Sequence, residues 1–545
     1  MSATRLRAQP LPDLRPQPRR SPAHAAFRSA RDLLQRLRTR PDAARREFAW
    51  PRPTHFNWAL EWFDVVAAEE PRPALELVHP GGRVESVSYR ELSARSDRLA
   101  TWLRGLGVRR GERVMVVLGQ QVELWETLLA CLKLGAVVIP TYTSLTEAEA
   151  RDRFERGGVR HLVVRSRDVD RFAAVDAAVR VAVGGPVPGW HDHADARRTP
   201  GAFTPDAATP AGDVAFGYFT SGTTSAPKLV LHTHASYPVG HLSSLYFHGL
   251  LPGDRHLNVS APGWAKHSWS SFFVPFTAQA TLVVAADEGL GPEGLPGLLA
   301  EREVTSVCAP PSYWAAVVPH LGTAVPRLRE ATSAGEPLPD PVADAVAAAW
   351  GVTVRDGYGQ TETTALIGTT PGTPRTPGWL GRPLPGWDLV LDEGHLCVDL
   401  TGAPVGMMAG YDDPEHTRRV LGGDRYRTGD VAEAGPDGLL RVLGRDDDVF
   451  KSGGHRVSPY ELEAVLRTHP AVRDAAVVPV PHAGLGRAAH AVVEPEPGRP
   501  AVTAEELLAH VDARVGAAVR VHSVEFTDRL PRTVSGKVRR AALAR

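Results

Sequence analysis

The stretch Tyr218-Phe-Thr-Ser-Gly-Thr-Thr-Ser-Ala-Pro-Lys228 joins an apolar run, residues 214–219, to a loop of small hydroxyl residues. The apolar run is typical of a buried strand. Small side chains let backbone N–H groups converge on an anion, and Lys228 adds a cation. Hydroxyl donors come from Thr220, Ser221, Thr223 and Thr224. The stretch predicts a polyphosphate-binding loop, although not a Walker A loop, because no Gly-Lys-Ser/Thr triplet follows the glycine. The alternative is a Ser/Thr-rich surface turn.

Around this loop, residues 56–350 alternate between helix-like and strand-like segments, and the strands are unbroken apolar runs such as 113–118. That order is typical of parallel strands covered on both faces. From about residue 380 the pattern changes to short strands and turns, and after Gly444-Arg445 a compact α+β unit follows. We therefore predict an α/β fold: a large N-terminal domain (51–445) of layered α/β sheets with a β-rich subdomain, and a small mobile C-terminal α+β domain (446–545).

Composition excludes several classes of protein. Lys plus Arg and Asp plus Glu both number 62, so no net field favours nucleic acid. The three cysteines, Cys131, Cys308 and Cys397, lie too far apart for a disulfide framework or a metal-ligand spacing. The longest apolar run, 128–140, contains Lys133 and is shorter than a membrane span. We expect a cytoplasmic protein without a membrane span.

The first 50 residues contain twelve Arg, no Lys and four acidic residues, with prolines at 10, 12, 16, 18 and 22. We predict a mobile tail to about Pro22 and then a basic amphipathic helix over 25–39, which Pro41 ends or kinks. The favoured interpretation is a solvated segment without a partner.

Four further motifs follow the loop in order: Asp356-Gly-Tyr-Gly-Gln-Thr-Glu362, Tyr426-Arg-Thr-Gly-Asp430, Gly444-Arg445 with Lys451-Ser-Gly-Gly-His-Arg456, and Pro531-Arg-Thr-Val-Ser-Gly-Lys537. Together the five resemble the motifs of adenylate-forming enzymes: acyl-CoA synthetases, adenylation domains and beetle luciferases. The segment Gly263-Trp-Ala-Lys-His-Ser-Trp269 resembles the medium-chain and benzoate-type acyl-CoA synthetase branch. The resemblance extends from about Phe56 to the C-terminus.

This resemblance implies a two-step reaction. A carboxylate attacks the α-phosphate of ATP to give acyl-AMP and pyrophosphate, and after the C-terminal domain rotates, the CoA thiol attacks the acyl carbonyl. The implied ligands are ATP or acyl-AMP, Mg²⁺, coenzyme A and a small-molecule carboxylic acid.

The resemblance also assigns roles to individual positions. Lys537, Thr361 and Glu362 are the catalytic candidates, with Glu362 as the Mg²⁺ ligand, and Asp446 is the hinge. The CoA-facing residues are Gly453, Gly454, His455 and Arg456. The nucleotide-facing residues are Thr220, Ser221, Gly222, Thr223, Thr224, Ser225, Ala226, Pro227, Lys228, Gly335, Glu336, Pro337, Asp356, Gly357, Tyr358, Gly359, Gln360, Asp430 and Arg445. Solvated charges at Glu362 and Lys537 and a core aromatic at Tyr358 are the alternatives.

The same resemblance predicts an acyl pocket and a medium-sized or aromatic, mostly apolar acid. Its walls are expected from Trp264, Ser333, Ala334, Gly335, Tyr358, Gly359 and Ile367. Lys266 and His267 could meet a polar substituent, although ordinary packing is the favoured interpretation.

The chain departs from the family pattern at Ser225 and Leu229, where glycine or another small residue is usual. A Cβ there would crowd the phosphates. One alternative is therefore an enzyme with weak adenylation, supplied with acyl-AMP by a separate adenylating enzyme. A carrier-protein-loading adenylation enzyme, a luciferase-like monooxygenase and a non-catalytic acyl-nucleotide-binding regulator are further alternatives.

Overall fold

The computed structural model describes residues 20–220, 227–286, 290–452, 455–515, 520–532 and 538–543. Its α-helices are, in chain order, α1 Pro22–Arg36, α2 Pro41–Glu47, α3 Asp64–Glu69, α4 Tyr89–Leu106, α5 Val122–Leu134, α6 Glu147–Arg156, α7 Ser236–His248, α8 Ala265–Ser268, α9 Val274–Ala278, α10 Leu295–Glu301, α11 Pro311–Val317, α12 Asp340–Trp350, α13 Pro414–Leu421, α14 Pro459–Leu466 and α15 Ala504–Asp512.

The strands are, in chain order, β1 Pro73–Val78, β2 Val84–Ser88, β3 Arg113–Val117, β4 Val137–Pro140, β5 His161–Arg165, β6 Val179–Val183, β7 His191–Asp192, β8 Val214–Thr220, β9 Lys228–Thr233, β10 Arg255–Asn258, β11 Thr281–Ala285, β12 Ser306–Ala309, β13 Glu330–Ala334, β14 Val354–Gly359, β15 Ala365–Gly368, β16 Arg382–Pro383, β17 Leu389–Asp392, β18 His395–Asp399, β19 Gly410–Tyr411, β20 Arg425–Ala434, β21 Leu440–Arg445, β22 Phe450–Ser452, β23 His455–Val457, β24 Val472–His482, β25 Gly486–Pro495 and β26 Val521–Phe526.

Two large sheets form the N-terminal unit. The first has the order β16-β15-β14-β13-β12-β10-β11-β1-β2 and the second β19-β9-β8-β4-β3-β5-β6-β7. Most neighbouring strands of both sheets pair in parallel. The antiparallel pairs are β1–β2, β14–β15, β15–β16, β8–β9 and β9–β19. Residues 114–117 of β3 are buried without alternation, as expected for a strand covered on both faces. The predicted layered α/β class is confirmed.

The later strands form the smaller units. Strands β17, β18, β20 and β21 make a four-stranded antiparallel sheet, which is the predicted β-rich subdomain. The C-terminal unit packs α14 and α15 on the sheet β24-β25-β26, around Leu462, Leu466 and Leu507. The predicted α+β character of this unit is confirmed.

The expectation of a solvated N-terminal segment is wrong from Pro22 onward. Helix α1 starts at Pro22, behind the N-cap Ser21, and buries Phe27 and Leu34 in the core of the large unit. The Phe27 ring meets the Trp62 ring edge-on. The chain turns at 37–39, and Pro41 begins α2 instead of only ending the first helix. Residues 22–48 therefore belong structurally to the large unit.

The three cysteines are free and buried. Among the described residues, no helix combines the length and the apolar character needed to cross a bilayer.

Candidate functional site

A cavity of about 1980 Å³ lies between the large unit and the C-terminal unit. Its floor contains the carboxyl ends of β13 and β14, where Ala334 pairs with Gly357. Sites at the carboxyl ends of parallel strands are common in α/β proteins. Arg532 and Val538 of the C-terminal unit line the same cavity as Asp430 of the large unit. One cavity thus collects residues from all five motifs.

The phosphate-loop candidate spans the β8–β9 hairpin. Thr220 pairs with Lys228 across the hairpin, and both line the cavity. The Lys228 side chain is exposed, with its Nζ 5.5 Å from the centroid of the Tyr411 ring. The loop residues Ser221, Gly222, Thr223, Thr224, Ser225 and Ala226 lie outside the described residues.

The bulk of Leu229 is buried and does not line the cavity. Neighbouring residues of a strand point to opposite faces, so Leu229 points away from the side that Lys228 occupies. Its side chain is buried in an apolar cluster with Met115 and Ile139. Its role is packing, and only Ser225 remains as an argument for weakened adenylation.

Glu362, the predicted metal ligand, is held in place at the cavity wall. Its Oε1 accepts a hydrogen bond of 2.9 Å from the Tyr411 hydroxyl, and its carbonyl accepts one of 2.8 Å from the Met408 N–H. Burial raises the pKa of Glu362, while Lys228 and Arg445 partly oppose this shift. Within the described ranges, no group of three or more His, Cys, Asp or Glu residues could hold a metal alone. One carboxylate suits Mg²⁺, which completes its coordination with phosphate oxygens and water.

His232, which is buried and does not line the cavity, is a positioning residue that the motifs did not reveal. It lies on β9, and its Nε2 is 2.7 Å from the carbonyl oxygen of Thr361. A carbonyl only accepts, so Nε2 carries the proton and Nδ1 accepts from the Ser236 hydroxyl, 3.1 Å away. Burial lowers the pKa of His232 to about 4, which keeps the ring neutral. His232 therefore ties the strand after the phosphate loop to the segment that carries Thr361 and Glu362.

Substituting His232 by leucine leaves the Thr361 carbonyl without its buried donor. The free-energy cost of leaving a buried carbonyl without its hydrogen-bond donor corresponds to a change in rate of about 10-fold or more. We expect His232→Leu to lower kcat/KM for ATP in acyl-AMP formation by that factor. His232→Gln, which can donate to the same carbonyl, should recover part of it. Equal defects in both variants, matched by equal losses of thermal stability, would reduce His232 to a packing residue.

The predicted ribose acceptor, Asp430, is oriented by a polar network. Its Oδ2 accepts from the Tyr358 hydroxyl and from Gln360 Nε2, the latter at 2.7 Å. Gln360 in turn accepts from the Tyr426 hydroxyl at 2.9 Å. Arg445 Nη1 lies 3.7 Å from Asp430 Oδ2, and the two residues pair across β20 and β21. The backbone of Tyr358 is held in β14 and its hydroxyl is held by Asp430, while part of its ring faces the cavity.

The predicted adenine loop, Gly335-Glu336-Pro337, also lines the cavity. Gly335 has φ +112°, and a Cβ there would lie 3.0 Å from the Trp264 ring. Asp356 stabilises this loop from behind: its Oδ2 accepts from the Leu338 N–H and its Oδ1 from the Gly357 N–H, both at 3.0 Å. Burial raises the pKa of Asp356 to about 7. The contacts of Asp356 are therefore with the loop backbone.

The acyl-pocket prediction is partly corrected. Trp264, Ala334, Gly335, Tyr358 and Gly359 line the cavity, but Ser333 and Ile367 do not. Both side chains are fully buried. Ser333 points to the opposite face of β13 from its cavity-lining neighbour Ala334, and none of the β15 residues beside Ile367 lines the cavity.

Several aromatic residues that were not predicted also line the cavity, among them Tyr142, Tyr218 and Trp269. Gly359 has no room for a side chain, since an added Cβ would lie 2.0 Å from the Thr364 carbonyl oxygen.

The C-terminal candidates are only partly described. Lys537, Gly453, Gly454 and the Arg456 side chain lie outside the described residues. His455 is exposed on β23 and does not line the cavity in this orientation. The N–H of Asp446, the predicted hinge, donates to the Gly429 carbonyl at 2.9 Å.

Comparisons with known proteins identify the family of this chain. The AMP-binding enzyme family model matches residues 63–409, and the AMP-binding enzyme C-terminal domain model matches 461–537. A 4-hydroxybutyrate–CoA ligase of Metallosphaera sedula is 35% identical over 522 residues, with 90% of each chain covered. The structure resembles the anthranilate CoA ligase AuaEII in complex with anthranoyl-AMP (TM-score 0.82, 26% identity, 90% of this chain and 97% of that one).

It also resembles a benzoate CoA ligase from Burkholderia xenovorans (TM-score 0.77, 27% identity, 90% of this chain and 99% of that one). The chain belongs to the AMP-binding enzyme family and is an acid–thiol ligase of the acyl-CoA synthetase type.

Proposed function

We propose that this enzyme activates a medium-sized carboxylic acid with ATP, through a bound acyl-AMP, and transfers the acyl group to CoA. The observation that carries the proposal is the shared cavity, in which Lys228, Glu362, Asp430 and Arg445 face Arg532 of the C-terminal unit. The names of similar proteins support the size of the acid, since they refer to 4-hydroxybutyrate, anthranilate and benzoate.

In the first step a carboxylate oxygen attacks the α-phosphorus, the bond from this phosphorus to the bridging oxygen breaks, and pyrophosphate leaves. Two anions must approach each other, so the site must neutralise charge. Lys228 and Arg445 supply fixed cations, and Gln360 and Thr361 border the position proposed for the α-phosphate. When bound at Glu362, Mg²⁺ supplies further charge neutralisation on the phosphate oxygens.

In the second step the CoA sulfur attacks the acyl carbon, and the bond from this carbon to the AMP oxygen breaks. The products are the thioester and AMP. This step requires the C-terminal unit to rotate and bring 453–456 to the cavity, where glycines allow close backbone approach and Arg suits a phosphate.

The walls of the cavity favour an acid with a bulky or extended body. Trp264, Trp269 and Tyr218 present rings, and rings bind apolar groups by contact area. The proposal is tested by thioester formation from acetate, butanoate, hexanoate and benzoate, with CoA or a phosphopantetheinylated carrier protein as acceptor. We expect CoA thioesters, with the larger acids preferred over acetate. Loading of the carrier protein alone would contradict the choice of acceptor.

Substitution of the proposed hinge residue should affect the two steps unequally. Asp446→Pro removes the N–H that bonds Gly429 and fixes φ near −65°. Loss of one hydrogen bond costs about 0.5–1.5 kcal/mol, which lowers adenylation modestly, whereas a fixed φ opposes rotation. We expect thioester formation from supplied acyl-AMP to fall more than acyl-AMP formation. Asp446→Ala keeps the N–H and should leave the ratio of the two rates unchanged; an unchanged ratio in Asp446→Pro would refute the hinge assignment.

A further inference from the structure

Lys266 lies in the wall of the cavity. It belongs to α8, which begins directly after Trp264. It is 4% exposed, and its Nζ lies 5.4 Å from the centroid of the Trp264 ring. No atom of the described residues forms a hydrogen bond of good geometry with this Nζ. The Cys308 thiol beside it is only a weak partner. Burial lowers the pKa of Lys266, and Cys308, Glu336 and Asp356 partly offset this effect.

Lys133, the other buried lysine among the described residues, has a hydrogen-bond acceptor for each of its three N–H donors. Lys133 Nζ donates to Asp64 at 2.8 Å, to Asp97 at 2.7 Å and to the Ser93 carbonyl at 3.2 Å. A buried ammonium without such partners is strongly unfavourable. Only five of the 62 basic residues of this protein are lysines, so a lysine at position 266 is not a consequence of composition. The contrast indicates that the partner of Lys266 comes from a ligand.

The sheet edge behind Lys266 carries a further unpaired polar atom. Cys308 on β12 pairs with Asn258 on β10, so the two side chains lie on the same face of the sheet. Within the described part of the chain, Asn258 Oδ1 is buried without a hydrogen-bond partner. This edge therefore holds an unpaired acceptor in addition to the unpaired lysine. A methyl group satisfies neither of these groups, and a carboxylate can only accept.

We propose that this edge is the distal end of the acyl pocket and that the acid carries a hydroxyl group there, which accepts a hydrogen bond from Lys266. The proposal rests on the function proposed above and narrows its substrate class from mostly apolar acids to hydroxy acids. A hydroxyl group both accepts and donates, and so matches an edge that offers both kinds of unpaired atom. Sites built to hydrogen-bond a substrate hydroxyl discriminate strongly against the analogue that lacks it.

The test compares three acids of similar length: 4-hydroxybutanoate, pentanoate, in which a methyl replaces the hydroxyl, and butanedioate, which ends in a second carboxylate. We expect the unsubstituted enzyme to prefer 4-hydroxybutanoate in kcat/KM for thioester formation. Lys266→Met should lower this value about 10–100-fold and leave or raise that for pentanoate. Lys266→Arg, which keeps a donor, should retain the preference for the hydroxy acid.

His267→Gln is the matched control on the same helix. His267 is buried, does not line the cavity and has its ring Nε2 3.2 Å from Gln120 Oε1, so the ratio between the two acids should not change. A uniform loss for all acids in Lys266→Met, or equal use of 4-hydroxybutanoate and pentanoate by the unsubstituted enzyme, would overturn the hydroxyl subsite. Preference for butanedioate would overturn the hydroxyl subsite as well and would indicate a subsite for a second carboxylate. Failure to form any thioester would instead overturn the proposed function.

Discussion

Lys537→Ala is expected to lower the rate of acyl-AMP formation by about 10²–10³-fold, the usual cost of losing one transition-state contact. The neighbouring Arg532 and Val538 line the same cavity as Asp430, which supports the role that the resemblance assigns to Lys537. Negative charge gathers on the phosphate oxygens during adenylation, and an ammonium group stabilises it there. The measurement is acid-dependent exchange between ATP and pyrophosphate.

The second half-reaction provides the internal comparison for this variant. Thioester formation from supplied acyl-AMP no longer involves the triphosphate, so we expect Lys537→Ala to change it little. Arg514→Ala removes an exposed cation from the same unit, next to the His510 carbonyl, and should affect neither half. Equal losses in the two halves for Lys537→Ala would remove the assigned role.

Glu362→Gln should lower acyl-AMP formation by about 10²-fold, since charge stabilisation by a bound metal contributes several kcal/mol and 1.36 kcal/mol corresponds to a factor of ten. The substitution keeps the shape of the side chain and an oxygen that can accept from Tyr411. It removes only the charge that would hold Mg²⁺. The concentration of Mg²⁺ that gives half-maximal adenylation should rise together with the loss of rate.

Tyr411→Phe separates the charge of Glu362 from its positioning. This variant removes the 2.9 Å hydrogen bond but leaves the carboxylate. We therefore expect acyl-AMP formation to fall only by the factor that corresponds to one hydrogen bond, about 0.5–1.5 kcal/mol. If Glu362→Gln shows an unchanged Mg²⁺ dependence and a defect no larger than that of Tyr411→Phe, Glu362 is not the metal ligand.

Much of the fold was predictable because its signals are local. The predicted apolar runs 113–118 and 214–219 coincide to within one residue with the strands Arg113–Val117 and Val214–Thr220. Continuous apolar runs marked the central strands, since both faces of those strands are buried. The order of motifs predicted one shared site, and the structure places Lys228, Glu362, Asp430 and Arg445 around one cavity.

Other features depend on contacts between distant segments and could not be predicted. The Arg-rich composition of the first 50 residues favoured a solvated segment. The two side chains that anchor α1 in the core are Phe27 and Leu34. The direction of Leu229 depends on the register of β9 against β8. His232 contacts the Thr361 carbonyl although the two residues are 129 positions apart in the sequence. The only signal for His232 in the sequence is that it is a polar residue within an apolar run.

The most direct test of the account is a single-turnover reaction with ATP labelled at the α-phosphate, 4-hydroxybutanoate or another accepted acid, and no CoA. We predict that labelled acyl-AMP accumulates on the enzyme, with pyrophosphate released, and disappears into AMP and thioester when CoA is added. Formation of ADP, or of thioester without any acid-dependent labelled adenylate, would contradict it.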